Sequence, residues 1–159
     1  KNAFFPIALG VTTADCVPIL LTDPHTHIIA TVHAGWKGAV AGVIANTVRS
    51  MKRLGAQTNR ILAFIGPHIG MCCYSVTKER IDRFIRMCGD DQIMYAKFED
   101  GWHLDLGRVI VQQLLAEGLQ FNNIDAPILC TSCQIDSFFS YRKDSKETFG
   151  EIMGVIGFI

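Results

Sequence analysis

Residues 16–33, CVPILLTDPHTHIIATVH, predict a β-hairpin. Two apolar runs flank Asp23-Pro24, where the aspartate caps the bend and proline presets φ. Antiparallel partners keep a constant sum of residue numbers, so we expect Cys16, before the first strand, to fall opposite His33, after the second. A thiol and an imidazole would then meet at one end of the sheet. They could act there as two metal ligands or as a nucleophile and its base.

A glycine-rich turn follows the hairpin and leads into a predicted helix. After Gly35-Trp36-Lys37-Gly38, apolar residues recur at helical spacing over 40–54, and Gly55 marks the end. A helix that begins after Gly38 would direct its free N–H groups toward the Cys/His pair, which suits an anion such as phosphate. Lys37 and Gly38 are therefore candidate phosphate ligands. The alternative is that the glycines only permit a tight strand-to-helix turn.

The composition limits the class of protein. The 159 residues include 15 Lys and Arg against 15 Asp and Glu, so the chain has no basic footprint for nucleic acid. We find no apolar stretch long enough for a membrane span and no signal-peptide pattern. The six cysteines favour free thiols and a cytoplasmic location, because a chain this rich in core residues needs no disulfides.

Strand and helix patterns alternate along one domain. Further strands are predicted at 7–11, 61–65, 126–129, 138–142 and 152–159, and further helices at 77–87 and 105–117. The hairpin requires antiparallel pairing, whereas strand-helix-strand units favour parallel pairing. The predicted fold is therefore α/β (α+β) with mixed sheets.

Two loops contain further candidate residues. His68 follows a buried strand, where sites often lie, although a lone histidine there is more typical of a solvated loop. Cys130 and Cys133 have the spacing of a zinc knuckle, but Cys72-Cys73 is an adjacent pair and lacks that spacing, so we expect no knuckle. Three other histidines are expected to be structural or exposed: His25, His27 and His103.

Paired cations near the end of the chain have two interpretations. In Ser140-Tyr141-Arg142-Lys143-Asp144, Arg142 and Lys143 could hold an anionic substrate as a fork and a point charge. They could equally lie at a solvated strand end. Both interpretations stay open on the residues alone.

Four sequence blocks carry a family resemblance. The blocks are Thr13-Ala14-Asp15-Cys16-Val17-Pro18, His33-Ala34-Gly35-Trp36-Lys37-Gly38, the stretch from Gly66-Pro67 to Cys73-Tyr74-Ser75-Val76, and Phe138-Phe139-Ser140-Tyr141-Arg142-Lys143-Asp144. Together they resemble the YfiH-like, laccase-domain family, formerly labelled polyphenol oxidase. The resemblance implies a four-layer sandwich of mixed sheets with outer helices. It also implies zinc-dependent phosphorolysis of purine nucleosides such as adenosine, inosine and methylthioadenosine, with adenosine deamination.

The resemblance also implies roles for individual residues. Cys16 and His33 match the family's second and third metal ligands, and Arg142 joins the candidate phosphate ligands. Asp15 and His68 are candidates for proton transfer or for orienting a ligand. The expected partners are a purine nucleoside and phosphate.

Two features depart from the family pattern. The first metal ligand of the family is a histidine several dozen residues before the Cys16 motif, and this chain begins at Lys1, so residues 1–159 are expected to be one domain without its N-terminal part. Glu151 stands where the family often has arginine, which predicts weaker phosphate binding.

Other classes of function stay open. A metal-independent cysteine hydrolase would use Cys16 as nucleophile and His33 as base. A copper polyphenol oxidase is less favoured than zinc chemistry, because multicopper sites need more histidines than the five present. A non-catalytic nucleoside-binding module is a further alternative. A homodimer is among the assemblies that the sequence allows.

Overall fold

The computed structural model describes residues 7–144, 147 and 150–158, which form a mixed α/β fold. The strands are β1 (Ala8–Thr13), β2 (Val17–Asp23), β3 (Ile28–Ala34), β4 (Leu62–Ile65), β5 (Ser75–Val76), β6 (Tyr95–Phe98), β7 (Gly101–Leu104), β8 (Ile124–Asp125) and β9 (Ile152–Gly157). The helices are α1 (Trp36–Val40), α2 (Val43–Leu54), α3 (Lys78–Cys88) and α4 (Leu106–Ala116). Within the described ranges, no helix is long and apolar enough to cross a membrane.

The predicted hairpin forms from β2 and β3. Asp23 caps its turn by accepting a hydrogen bond from the backbone N–H of His25 at 3.0 Å. The other oxygen of the same carboxylate accepts hydrogen bonds from Gln57 N–H and from the Arg60 guanidinium, each at 3.0 Å. Although burial opposes the effect, these hydrogen bonds lower the pKa of Asp23 to about 2. The turn is therefore fastened to the segment between α2 and β4.

The described strands form three sheets. The mixed pairing that the sequence predicts is confirmed. The central sheet has the order β3-β2-β4-β8, with β4 and β8 parallel and the other pairs antiparallel. Strands β1 and β9 form an antiparallel pair, and β5-β7-β6 form a third sheet. Buried side chains of β2, including Ile19 and Leu21, belong to the same core cluster as residues of α2 and α4. The buried side chains of β2 therefore anchor the hairpin in the core.

The predicted helix after Gly38 is wrong at its beginning. The chain forms α1, whose N-cap is Gly35, so Gly38 lies inside a five-residue helix. A break follows at Gly42, which has φ 79°, a conformation that suits glycine because it lacks Cβ. Helix α2 then runs to Gly55, which adopts φ 113° as the predicted C-terminal cap. Because α1 is short, no long helix in the described part of the chain begins beside Cys16 and His33. The predicted binding of phosphate at a long helix N-terminus is therefore not supported.

Helices α3 and α4 agree with the sequence patterns. Thr77 is the N-cap of α3, and the Asp105 carboxylate caps α4 by accepting a hydrogen bond from Arg108 N–H at 2.8 Å. Apolar residues of both helices enter the core at the expected spacing. Leu115 is an exception, because its apolar side chain is 36% exposed.

The strands expected at 126–129 and 138–142 are absent from those described residues. Short-range hydrogen bonds replace strand pairing there, such as those donated by Gln134 N–H to Cys130 O at 3.1 Å and by Asp144 N–H to Ser140 O at 2.8 Å. Several apolar residues of this segment, including Ile128, Ile135 and Phe139, are exposed instead of buried in a sheet. The sequence patterns also missed β5, β6 and β7, which are two to four residues long.

Candidate functional site

Cys16 lies near His33 at the end of the hairpin that is opposite its turn. The register of β2 and β3 differs from the prediction. His33 pairs with Pro18 and Ala34 pairs with Val17. Continuing this register puts Cys16 across from Gly35, so Cys16 and His33 are diagonal neighbours rather than direct partners. His33 is exposed and Cys16 is half-buried. Among the residues that the structure describes, no third metal-ligating side chain completes a group with this pair.

Gly35 makes room for the Cys16 thiol. A Cβ built on Gly35 would lie 3.0 Å from Cys16 Sγ, closer than such contacts normally allow. Burial, followed by the nearby Asp15 carboxylate, raises the pKa of the Cys16 thiol. The thiol is therefore protonated near neutral pH, and a cation beside it would be needed to favour the thiolate.

Asp15 is buried and connects three segments. Its Oδ1 accepts a hydrogen bond from Thr131 Oγ1 at 2.6 Å, and its Oδ2 accepts one from Arg142 N–H at 2.7 Å. Its backbone oxygen accepts one from Ile69 N–H at 3.0 Å. Asp15 itself has φ 76°, a strained conformation that aspartate tolerates better than most residues. Both carboxylate oxygens are thus engaged in positioning loops around Cys16, which favours ligand orientation over proton transfer.

His68 is buried, so the expectation of a solvated loop histidine is wrong. Its Nδ1 lies 2.8 Å from the Gly66 carbonyl oxygen. Its Nε2 packs against α4, where a Cβ built on Gly107 would lie 2.2 Å away. Both ring nitrogens therefore face protein, and this arrangement resembles a packed structural histidine. His103 is also buried, with Nδ1 2.6 Å from Met71 O, whereas His25 and His27 are exposed.

Cations and aromatic rings gather beside the Cys16 loop. The guanidinium of Arg80 lies 4.2 Å from the centre of the Trp36 ring and donates a hydrogen bond to Tyr74 Oη at 3.3 Å. Lys37 Nζ lies 5.8 Å from the same Trp36 ring, and the Arg142 guanidinium lies 5.6 Å from the Tyr74 ring. We call these five residues the basic-aromatic group. Trp36 directly follows Gly35, whose added Cβ would lie 3.0 Å from Cys16 Sγ, so the group begins beside the thiol.

The sequence patterns found Lys37 and Arg142 but missed the rest of this group. Arg142 lies in a turn rather than at a strand end, and its Nη1 donates a hydrogen bond to Ser75 Oγ at 3.2 Å. Arg80 was missed because on α3 it has the spacing of an ordinary exposed helix residue. Only the packing of α3 near α1 brings it over Trp36.

A second group of thiols lies nearby, and the expectation that Cys130 and Cys133 would have no partner pair is wrong. Cys133 Sγ lies 3.5 Å from Cys72 Sγ and 3.4 Å from Cys73 Sγ. All four sulfur atoms lie within 4.8 Å of one another. We call Cys72, Cys73, Cys130 and Cys133 the cysteine cluster. The structure records all its members as free cysteines.

Comparisons with known proteins agree with the sequence resemblance. Residues 5–159 match the family model described as multi-copper polyphenol oxidoreductase laccase. The chain is 39% identical over 140 residues to a purine nucleoside phosphorylase of Clostridium acetobutylicum, covering 87% of this chain and 57% of that relative. It is 37% identical over 139 residues to adenosine deaminase RL5 of an unknown prokaryotic organism, covering 86% of this chain and 53% of RL5. The chain thus spans just over half the length of these relatives.

A solved structure shares the fold. The hypothetical protein YfiH of Bacillus licheniformis superposes with a TM-score of 0.85 at 37% identity, covering 94% of this chain and 57% of that one. The expected YfiH-like family resemblance and fold class are therefore confirmed.

Proposed function

Because the chain belongs to the family described as multi-copper polyphenol oxidoreductase laccase, and relatives are named for purine nucleosides, we propose that it carries a purine nucleoside phosphorylase site. Phosphorolysis requires an anion to be held beside a nucleoside. The basic-aromatic group supports this proposal, because it gathers three cations and two flat rings on segments that adjoin the Cys16 loop.

The anion would be bound mainly by side chains. Lys37 and Arg80 share the Trp36 ring, so two positive charges lie on one surface, and Arg142 adds a third beside Tyr74. Guanidinium groups match phosphate oxygens with paired donors, and lysine adds a mobile point charge. This arrangement replaces the long helix that the sequence predicted for the same purpose. Gly38 keeps a role only through its backbone in α1.

The donor set beside this surface fits zinc. Cys16 and His33 offer a sulfur and a nitrogen ligand, and Gly35 leaves the thiol unobstructed. We propose that a third ligand comes from outside the described residues and that the open position takes substrate. Bound zinc would supply polarisation of a substrate oxygen or activation of a water molecule.

The chain's own residues account for the remaining requirements of phosphorolysis. A phosphate oxygen forms a bond to C1′ of the ribose while the C1′–N9 bond breaks, and its electron pair leaves with the purine, which takes up a proton. Lys37, Arg80 and Arg142 would hold the anion in line with that bond, where positioning contributes most. Asp15 would keep the Arg142 turn and the Cys16 loop in register through the hydrogen bonds described above.

The test uses the full-length protein with inosine and phosphate. We expect hypoxanthine and ribose 1-phosphate in equal amounts, with no free base formed when phosphate is omitted. Free ribose as the sugar product would contradict phosphorolysis. Chelator sensitivity separates this proposal from the cysteine hydrolase, which would keep its activity without metal and lose it on alkylation of Cys16.

Adenosine deamination is a second candidate, because RL5, a relative at 37% identity, is named adenosine deaminase. In this reaction, water adds at C6 of the purine and ammonia leaves, which yields inosine. Ammonia release from adenosine without phosphate would support it. Oxidation of a phenol with consumption of oxygen would instead support the copper oxidase alternative.

A further inference from the structure

Two loops that are far apart in sequence bring four sulfur atoms together. Cys72 and Cys73 lie in a turn whose backbone N–H of Cys73 donates to Gly70 O at 3.0 Å. Cys130 and Cys133 lie in a second turn, with Cys133 N–H donating to Cys130 O at 3.2 Å. Two backbone hydrogen bonds of His68 hold the turns side by side. His68 N–H donates to Leu129 O, and Thr131 N–H donates to His68 O, both at 3.1 Å.

The sulfur spacing matches a tetrahedral metal site. Zinc binds thiolates at about 2.3 Å, so the sulfur atoms of a tetrahedral site are about 3.8 Å apart. Cys133 Sγ lies 3.4 Å from Cys73 Sγ and 3.5 Å from Cys72 Sγ, and all four sulfur atoms lie within 4.8 Å of one another. These separations exceed a disulfide bond, which is about 2.05 Å long. A small closure of the two turns would suffice to coordinate one ion.

Backbone groups approach two sulfur atoms of the cysteine cluster closely. Gly70 N–H donates a hydrogen bond to Cys130 Sγ at 3.2 Å, as backbone groups do around metal-bound sulfur. A Cβ built on Gly70 would lie 3.3 Å from both Cys130 Cβ and Cys72 Sγ, so glycine allows the backbone to approach the sulfur atoms.

We propose that the cysteine cluster binds one Zn²⁺ ion as a closed structural site, separate from the Cys16 and His33 pair. Four thiolates complete the coordination of zinc and leave no open position, which is typical of structural rather than catalytic zinc. The ion would cross-link the turn that precedes Tyr74 to the turn that contains Thr131. Tyr74 belongs to the basic-aromatic group and Thr131 holds Asp15, so the site would fasten both supports of the Cys16 loop.

The first test is thiol protection in the unmodified full-length protein. Cys72 and Cys133 are exposed, so without metal they should react with iodoacetamide. We expect zinc to slow their alkylation at least about tenfold, because a coordinated thiolate is no longer free to attack. Cys88, a free cysteine outside the cluster, is the internal control and should react at the same rate with and without zinc. Equal alkylation of Cys72 and Cys133 in both samples overturns the proposal.

The second test distinguishes this site from the proposed catalytic one. Zinc content of purified protein is compared among wild type, Cys16→Ser, Cys133→Ser, the double variant of these two and the control Cys88→Ser. We expect Cys133→Ser to contain about one zinc ion fewer than Cys88→Ser, and Cys16→Ser combined with Cys133→Ser to contain about one fewer than Cys16→Ser alone, whatever the enzymatic activity proves to be. Loss of the same ion in Cys16→Ser but not in Cys133→Ser would overturn the proposal. So would a Cys72–Cys133 or Cys73–Cys133 disulfide, or copper in place of zinc, in protein purified under reducing conditions.

Discussion

The hairpin-end pair and the cysteine cluster contain similar chemical groups but are assembled differently. Cys16 and His33 are joined by one hairpin whose backbone ladder sets their relation. Cys72 and Cys133 are 61 residues apart, and turns and loop hydrogen bonds bring them together. The pairing of two adjacent strands can be predicted from their residue patterns. The contact of two turns that are distant in sequence cannot. We therefore expect mutation of the hairpin-end pair to remove the chemistry of the site. Mutation of the cysteine cluster is expected to disorder the loops.

The largest expected effect concerns the hairpin-end pair. Cys16→Ala in the full-length protein should lower kcat/KM for inosine at least about 1,000-fold, because it removes a proposed ligand of the metal that supplies several kcal/mol of stabilisation. The melting temperature should change little, since Cys16 lies outside the strands. Cys88→Ala is the matched control and should keep full activity. An active Cys16→Ala enzyme would remove the thiol from the mechanism.

Asp15 links the two regions, so its substitution should affect both. Asp15→Ala leaves Thr131 Oγ1 and Arg142 N–H without their acceptor and puts alanine at φ 76°. We expect a loss of about 2–4 kcal/mol in the free energy of unfolding, measured by urea denaturation. Asp15→Asn keeps an acceptor and tolerates that φ better, so it should lose less. Equal losses in the two variants would show that the retained acceptor and the backbone strain are unimportant here, because both variants lack the carboxylate charge.

The opposite end of the hairpin provides a test that leaves both sites intact. The folded pKa of Asp23 is about 2, below the ordinary value of 3.8, so the carboxylate stabilises the fold at pH above about 4. Asp23→Asn should cost roughly 2 kcal/mol at pH 7, and the difference from wild type should shrink as pH falls from 4 through 2. Denaturant titrations at several pH values measure this. A difference that grows on acidification would contradict the assignment.

The smallest expected effect concerns phosphate. Arg80→Ala or Lys37→Ala should raise the apparent KM for phosphate about fivefold, since each contributes about 1 kcal/mol from a partly exposed position. Zinc content should stay unchanged in both variants. Lys52→Ala, which removes an exposed cation from α2 outside the basic-aromatic group, serves as the control. If all three variants behave like wild type, the basic-aromatic group does not bind the anion.

Local patterns predicted those elements whose signals lie within a few residues. The Asp23 turn, the helix start at Asp105 and the Gly55 terminus all depend on hydrogen bonds or backbone freedom close in sequence. The break at Gly42 was missed because the apolar spacing continues across it. The prediction of strands in the segment 126–142 was wrong, because its backbone groups form hydrogen bonds within turns or to Asp15 and several of its apolar residues are exposed.

The sequence by itself determined the hairpin, the main helices, the mixed fold class, the family and the placement of Cys16 and His33 at one end of the hairpin, because periodicity and short motifs record local structure. Tertiary structure alone decided that Arg80 stacks on Trp36, that His68 is buried and that Asp15 holds two distant loops. It also decided that the adjacent pair Cys72-Cys73 meets the spaced pair Cys130 and Cys133. Such contacts depend on how elements pack, and residues 60 positions apart leave no periodic signal of their proximity.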